Sequence, residues 1–280
     1  MLENIMYLFF MINKYFSLRK SRLTCNAKHL LPLIFCFLSG GVNAIEFDFP
    51  TDDFLVDASQ CGDGEIIETC EDTGKDQYYD NEYDGYSVIT LFTNAQSPQR
   101  VKLTTNVGYY STGIYKWRTF IPRIQPRDAI SIGMFIISNE VYGENQPELD
   151  FECGYGSKND RESISEITAS DAICHLVSHD DPKPNPKVVK ISSQSWHTFK
   201  LVVSGDYYAA WYIDDIEMHQ VPISYSNEIS FIPMISLEHL PFMGKEYPPL
   251  TGGLAHFDFF SYTNDSLKSP PSPPHLYTLY

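Results

Sequence analysis

From residue 86 onward the chain alternates apolar and polar residues in short runs, broken by Gly, Asn, Asp and Pro. Period-two alternation bounded by turn residues predicts strands. The pattern predicts strands at 86–92, 100–105, 113–121, 129–138, 173–178, 196–203, 208–213 and 254–262. Ser204-Gly205-Asp206, between two of these runs, predicts a hairpin. No segment carries a long apolar pattern of helical period, and no internal repeat is visible. Many antiparallel strands in one stretch predict an all-β fold, a two-sheet antiparallel sandwich or jelly roll.

The pentapeptide Glu148-Leu149-Asp150-Phe151-Glu152 stands out within this pattern. In a strand, alternate side chains share a face. Glu148, Asp150 and Glu152 would then project together, with Leu149 and Phe151 entering the core behind them. Three like charges on one strand face repel, so stability does not select this arrangement. Paired carboxylates beside a bound sugar are what glycosidic bond cleavage requires. A solvated acidic strand or a carboxylate cluster for a cation are the plainer readings.

The ends differ from this middle. Lys14, Arg19, Lys20, Arg22 and Lys28 precede the apolar run Leu30–Leu38, and Val42-Asn43-Ala44 fits a signal-peptidase site. Residues 1–44 therefore read as an export signal, with a retained anchor as the alternative, and localisation is expected to be extracellular or periplasmic. Residues 45–85 read as an irregular acidic entry segment, 86–264 as the sandwich, and 265–280 as a Pro-rich tail. Asn264-Asp265-Ser266 forms a glycosylation sequon.

The whole chain carries 20 basic and 36 acidic residues, a net charge of −16. Without residues 1–44 these fall to 15 and 35, a net charge of −20. Such acidity argues against nucleic acid or an anionic membrane as partners. It suits a soluble protein, expected to be a monomer, acting on a neutral polysaccharide. Cys61, Cys70, Cys153 and Cys174 remain after export, and four cysteines allow three pairings. Cys61–Cys70 would close a short acidic loop.

Four blocks in order resemble glycoside hydrolase family 16, the laminarinase, lichenase and xyloglucan-transferase group. They are Gly113-Ile114-Tyr115-Lys116-Trp117-Arg118, the acidic pentapeptide, Trp196-His197-Thr198-Phe199 with Trp211-Tyr212-Ile213-Asp214, and Phe257-Asp258-Phe259-Phe260. The pentapeptide matches the family's Glu-x-Asp-x-Glu strand, and the resemblance covers residues 86–262. The chain departs from the pattern at Gln146-Pro147, at Cys153-Gly154-Tyr155-Gly156, and at Leu237–Phe242, where a tryptophan-rich sugar platform is expected.

The resemblance implies a concanavalin-like sandwich with a concave substrate cleft and a secreted endo-acting β-glucan hydrolase using a retaining mechanism. Transglycosylation, or glycan binding without cleavage, are its alternatives. Glu148 would be the nucleophile, Glu152 the general acid and base, and Asp150 the residue that orients Glu148 and keeps Glu152 protonated. Strand parity within that fold favours a Cys153–Cys174 bond, which would place His175 on the cleft side near Glu152. Tyr142, Tyr155, Trp117 and His175 are the candidate sugar contacts, aromatic rings offering flat apolar faces. No cofactor is required. Many members hold a structural calcium, for which Asp258 would be a ligand.

Overall fold

The computed structural model describes residues 44–48, 54–56, 78–93, 101–105, 110–126, 128–138, 146–179, 186–225, 229–244 and 253–264. The expected signal at 1–43, the Cys61–Cys70 pair, Tyr142 and the tail at 265–280 lie outside these residues.

The strands, in chain order, are β1 (Ala44–Asp48), β2 (Phe54–Val56), β3 (Tyr78–Tyr83), β4 (Tyr86–Phe92), β5 (Val101–Thr105), β6 (Gly113–Ile121), β7 (Ile130–Ser138) and β8 (Glu148–Gly154). After one short helix, α1 (Lys158–Ser163), come β9 (Asp171–Ser178), β10 (Lys187–Ser192), β11 (Ser195–Ser204), β12 (Tyr208–Ile213), β13 (Ile216–Pro222), β14 (Phe231–His239) and β15 (Leu254–Thr263). One sheet runs β13-β12-β11-β6-β15-β4-β3, with β1 beside β15. The other runs β10-β9-β8-β7-β14-β5-β2. Every pairing is antiparallel. The fold is the two-sheet sandwich that the alternation predicts.

Periodicity explains the packing. Along β6, Tyr115, Trp117 and Ile121 are fully buried, while Lys116, Arg118 and Phe120 on the other face are only partly covered. Along β11, Phe199, Leu201 and Val203 turn inward in the same way. From the opposite sheet, Leu149, Phe151, Ile132 and Ile136 meet them in one continuous core. The central strand β7 is buried along its whole length, so its outer face is covered as well.

Two expectations change here. The segment read as irregular, 45–85, supplies nearly all of β1 and the whole of β2 and β3. The acids and tyrosines of β3 obscure its strand signal, because β3 sits at a sheet edge, where few side chains need be apolar. Trp117 is not a sugar contact. It is fully buried between the sheets, 5.4 Å from the Phe260 ring and 6.5 Å from the Phe151 ring.

The motif hairpin β11–β12 has a structural logic of its own. Asp214 accepts from the Thr198 amide at 2.9 Å and lies 2.7 Å from His197 Nδ1. His197 Nε2 lies 2.8 Å from the Ser192 carbonyl oxygen, so the ring bridges Asp214 and the end of β10. The buried imidazole therefore locks the start of β11 to the β12–β13 turn, where Asp214 and Asp215 both adopt positive φ.

Candidate active site

The pentapeptide forms β8 with the expected parity. Leu149, Phe151 and Cys153 are fully buried in the core, and Glu148, Asp150 and Glu152 occupy the opposite, outer face. Each large apolar side chain buried this way contributes about 1.5–3 kcal/mol. That exceeds the mutual repulsion of the acids and holds the strand in register. Two further ties act on the core side. The Cys153–Cys174 disulfide joins β8 to β9 at directly opposed positions. The Trp211 indole N–H, from the other sheet, donates to the Asp150 carbonyl at 2.9 Å.

Register then dictates the neighbours. Glu152 pairs across with Gly133 of β7 on one side and His175 of β9 on the other. Asp150 faces Phe135 and Val177, and Glu148 faces Ile137. A Cβ at Gly133 would lie 2.3 Å from Ser236 Oγ and 3.2 Å from Glu152 Oε1. Glycine is thus what leaves room for the Glu152 carboxylate over β7.

Glu152 is only 8 % exposed, and its other oxygen accepts a hydrogen bond from the Ser131 hydroxyl. Burial pushes its pKa well above the usual carboxylate range, and the charges of Glu238 and Asp150 push it further. The Ser131 hydrogen bond and the Lys102 ammonium act in the opposite direction. Glu148 is raised to about 8, first by burial and then by Asp150, against the opposing pull of His179 and Lys102. Burial disfavours the charged form of each acid because the low-dielectric surroundings solvate it poorly.

Asp150 is 2 % exposed and lies 2.9 Å from His179 Nε2 through Oδ2. Among the described residues its Oδ1 has no hydrogen-bond partner. The Asp150 hydrogen bond raises His179 to about 9, with the charges of Glu148 and Glu152 adding to it. His179 is therefore an imidazolium at neutral pH, a fixed positive charge beside three acids. The sequence reading missed it, although the parity that puts His175 on this face puts His179 there too. Its amide also donates to the Glu148 carbonyl at 2.9 Å.

The coordinating atoms of Glu148, Asp150 and His179 lie within 4.8 Å of one another. Within this group Asp150 and His179 form an ion pair, with His179 open to solvent.

The other expected site residues are placed as follows. His175 lies opposite Glu152 as parity requires, but its Nε2 is 3.2 Å from Asp160 of α1 and its ring packs 5.3 Å from Phe242. Burial lowers its basicity, partly offset by Asp160. Tyr155 follows β8, half-buried, with the Arg161 guanidinium 4.0 Å from its ring centroid, so one face is already taken. Asp258 is not a free cation ligand. It pairs with Arg118, whose guanidinium stacks 4.0 Å from Tyr86 and 4.6 Å from Trp196 on the outer face of the eight-stranded sheet. A carboxylate neutralised by arginine has little left to offer calcium.

On the other sheet, the outer face of β8 continues into Phe135, Ile137 and Met234, all buried, immediately beside the acids. A cavity of about 560 Å³ opens elsewhere, at one end of the sandwich, lined by Tyr79, Phe92, Arg123, Asp128 and Leu254 among others. None of the three acids lines it.

No family model and no curated protein matches the sequence. Solved structures do match. An endo-glucanase of glycoside hydrolase family 16 from Bacteroides ovatus superposes with a TM-score of 0.55 at 12 % identity, covering 77 % of this chain and 98 % of that one. A Bacillus licheniformis β-glucanase gives 0.51 at 15 % identity, with coverage of 80 % and 99 %. A prokaryotic β-1,3-1,4-glucanase (lichenase) from a mouse hindgut metagenome gives 0.50 at 14 %, with 78 % and 98 %. The chain has the fold of the family 16 glucanases. At these identities the likeness concerns the fold, and the chemistry must be argued from the outer face of β8.

Proposed function

We propose that the protein is an exported endo-acting glycosidase that cleaves β-linked glucan with retention of configuration. The observation that carries this reading is the outer face of β8, where three carboxylates stand in a row on the sandwich fold shared with the glucanases. Glu148 attacks the anomeric carbon and forms a glycosyl-enzyme. Glu152 protonates the leaving oxygen, then takes a proton from the incoming water. Asp150, ion-paired with His179, stands between them and orients Glu148. The acidity of Glu152 suits its role. Glu152 holds its proton more firmly than an ordinary glutamate, as an acid catalyst must. The signal-like segment 1–44 supports export.

One feature favours glycan binding without cleavage. Retention needs carboxyl groups about 5–5.5 Å apart, and four residues of strand separate their Cα atoms by roughly 13 Å. The Ser131 hydroxyl holds Glu152 on the side away from Glu148, since Ser131 faces Gly154. Asp150 and Glu152 are also nearly closed to solvent. Catalysis on this face therefore requires Glu152 to swing from Ser131 toward Glu148 when the glycan enters.

Reducing-end release on β-1,3-, mixed-linkage and β-1,4-glucans and xyloglucan tests the reading. Glu148→Gln and Glu152→Gln are each expected to abolish release while leaving the circular dichroism spectrum unchanged. Full activity in either variant refutes it. Retardation in glucan gels with no release from the wild type selects the binding reading.

A further inference from the structure

The trough into which Glu152 leans contains a second buried acid. Glu238 of β14 is 2 % exposed and lies directly opposite Ser131, which donates its hydroxyl to Glu152. Between Glu238 and Glu152 the intervening strand β7 presents only Ser131 and Gly133, so no bulky side chain shields one carboxyl from the other. Beyond Glu238, Lys102 of β5 lies 3.3 Å from its Oε1, and both side chains are largely buried. Lys102 itself faces Ser236, whose buried hydroxyl has no partner among the described residues.

We propose that Glu238, paired with Lys102, is a positioning residue that keeps the Glu152 carboxyl protonated in the resting chain. The inference rests on the proposed role of Glu152 and deepens it. Two like charges facing each other across small residues in a buried trough cannot both persist without large cost. The ammonium of Lys102 stabilises the charge on Glu238, and the Ser131 hydroxyl anchors Glu152 at the distance where it feels that charge. Glu152 therefore carries the proton. The other charged or titratable groups around Glu152 are Asp150 on its own strand, His175 opposite it on β9 with Asp160 behind, and His179 at the end of β9. Asp150 adds to the effect of Glu238, and it is the weaker of the two. His175 has its basicity lowered by burial and provides little opposing charge. His179 is turned to Asp150.

The test is the pH dependence of kcat/KM for the full-length protein and for Glu238→Gln and Glu238→Asp, on the glucan that the wild type cleaves. The alkaline limb reports the loss of the acid catalyst's proton. Removing the Glu238 charge lowers the pKa of Glu152, so in Glu238→Gln this limb moves to lower pH with the acid side of the profile retained. Glu238→Asp keeps the charge and returns the limb toward its wild-type position. Carboxyl ¹³C NMR, with the Glu152 signal assigned by its loss in Glu152→Gln, reads the same shift without any turnover.

An unmoved limb and an unmoved Glu152 titration in a folded Glu238→Gln protein overturn the proposal. Equal changes in Gln and Asp variants, confined to stability or KM, overturn it as well. If the wild type releases no sugar, the enzymatic reading fails, and the NMR titration alone decides whether Glu238 governs Glu152. If Glu238→Gln leaves Lys102 unpaired and unfolds, the double variant Lys102→Met/Glu238→Gln removes the pair together, and the Glu152 titration is expected to move in the same direction, by less.

Discussion

Gly133→Ala isolates the packing that makes room for Glu152. The added methyl would sit 2.3 Å from Ser236 Oγ and 3.2 Å from Glu152 Oε1. The first distance is far inside van der Waals contact, and Ser236 is fully buried, so its hydroxyl has little space to rotate into. Overpacking of this kind costs about 1–3 kcal/mol. The contact with Glu152 is softer, because a glutamate carboxyl is the far end of a flexible side chain. Most of the cost therefore belongs to the single oxygen of Ser236. That oxygen makes no hydrogen bond among the described residues. Ser236→Ala should by itself be close to neutral, since no satisfied bond is lost. A double-mutant cycle by urea unfolding measures the coupling. The expected result is a Gly133→Ala penalty of about 1–3 kcal/mol in the wild-type background, falling by more than half when Ser236 is alanine. An equal penalty in both backgrounds refutes the reasoning and shifts the cost to the backbone or to Glu152.

Two other outcomes are expected. The nucleophile must be ionised, and Glu148 is raised to about 8, so kcat/KM should climb with pH through that value; an acid limb at the ordinary carboxylate pH, near 4.5, would remove Glu148 from the role. The Cys153–Cys174 bond closes a loop with a sequence separation of 21, for which chain entropy gives about 3 kcal/mol; denaturation with and without reductant should differ by about that amount, and equal midpoints would show the bond to be energetically idle.

Much of the architecture was legible in the sequence, and the reason is local. The run at 113–121 matches β6 residue for residue, because a half-buried strand writes its two faces into alternate positions. β13 and β14 were missed. β14 is buried on both faces and carries Pro233, so it lacks period two and contains a residue that argues against a sheet interior. β13 sits at a sheet edge and is largely exposed. One aromatic candidate failed for a related reason. Residue type made Trp117 look like a sugar platform, whereas its parity with Tyr115 and Ile121 assigns it to the core.

The sequence by itself determined which way each residue of β8 faces. Glu148, Asp150 and Glu152 on one side, with Leu149, Phe151 and Cys153 on the other, follow from the backbone geometry of a single strand. It also determined, through the parity of two strands, that a Cys153–Cys174 bond brings His175 opposite Glu152. Only the tertiary structure decided what stands around the acids. His179 reaches Asp150 from β9, Glu238 and Ser236 approach from β14, and Lys102 comes from β5. These contacts depend on which strands lie side by side, and strand order is a long-range property that no local period encodes. The burial that raises Glu148 and Glu152 arises in the same way, because it comes from what covers the sheet.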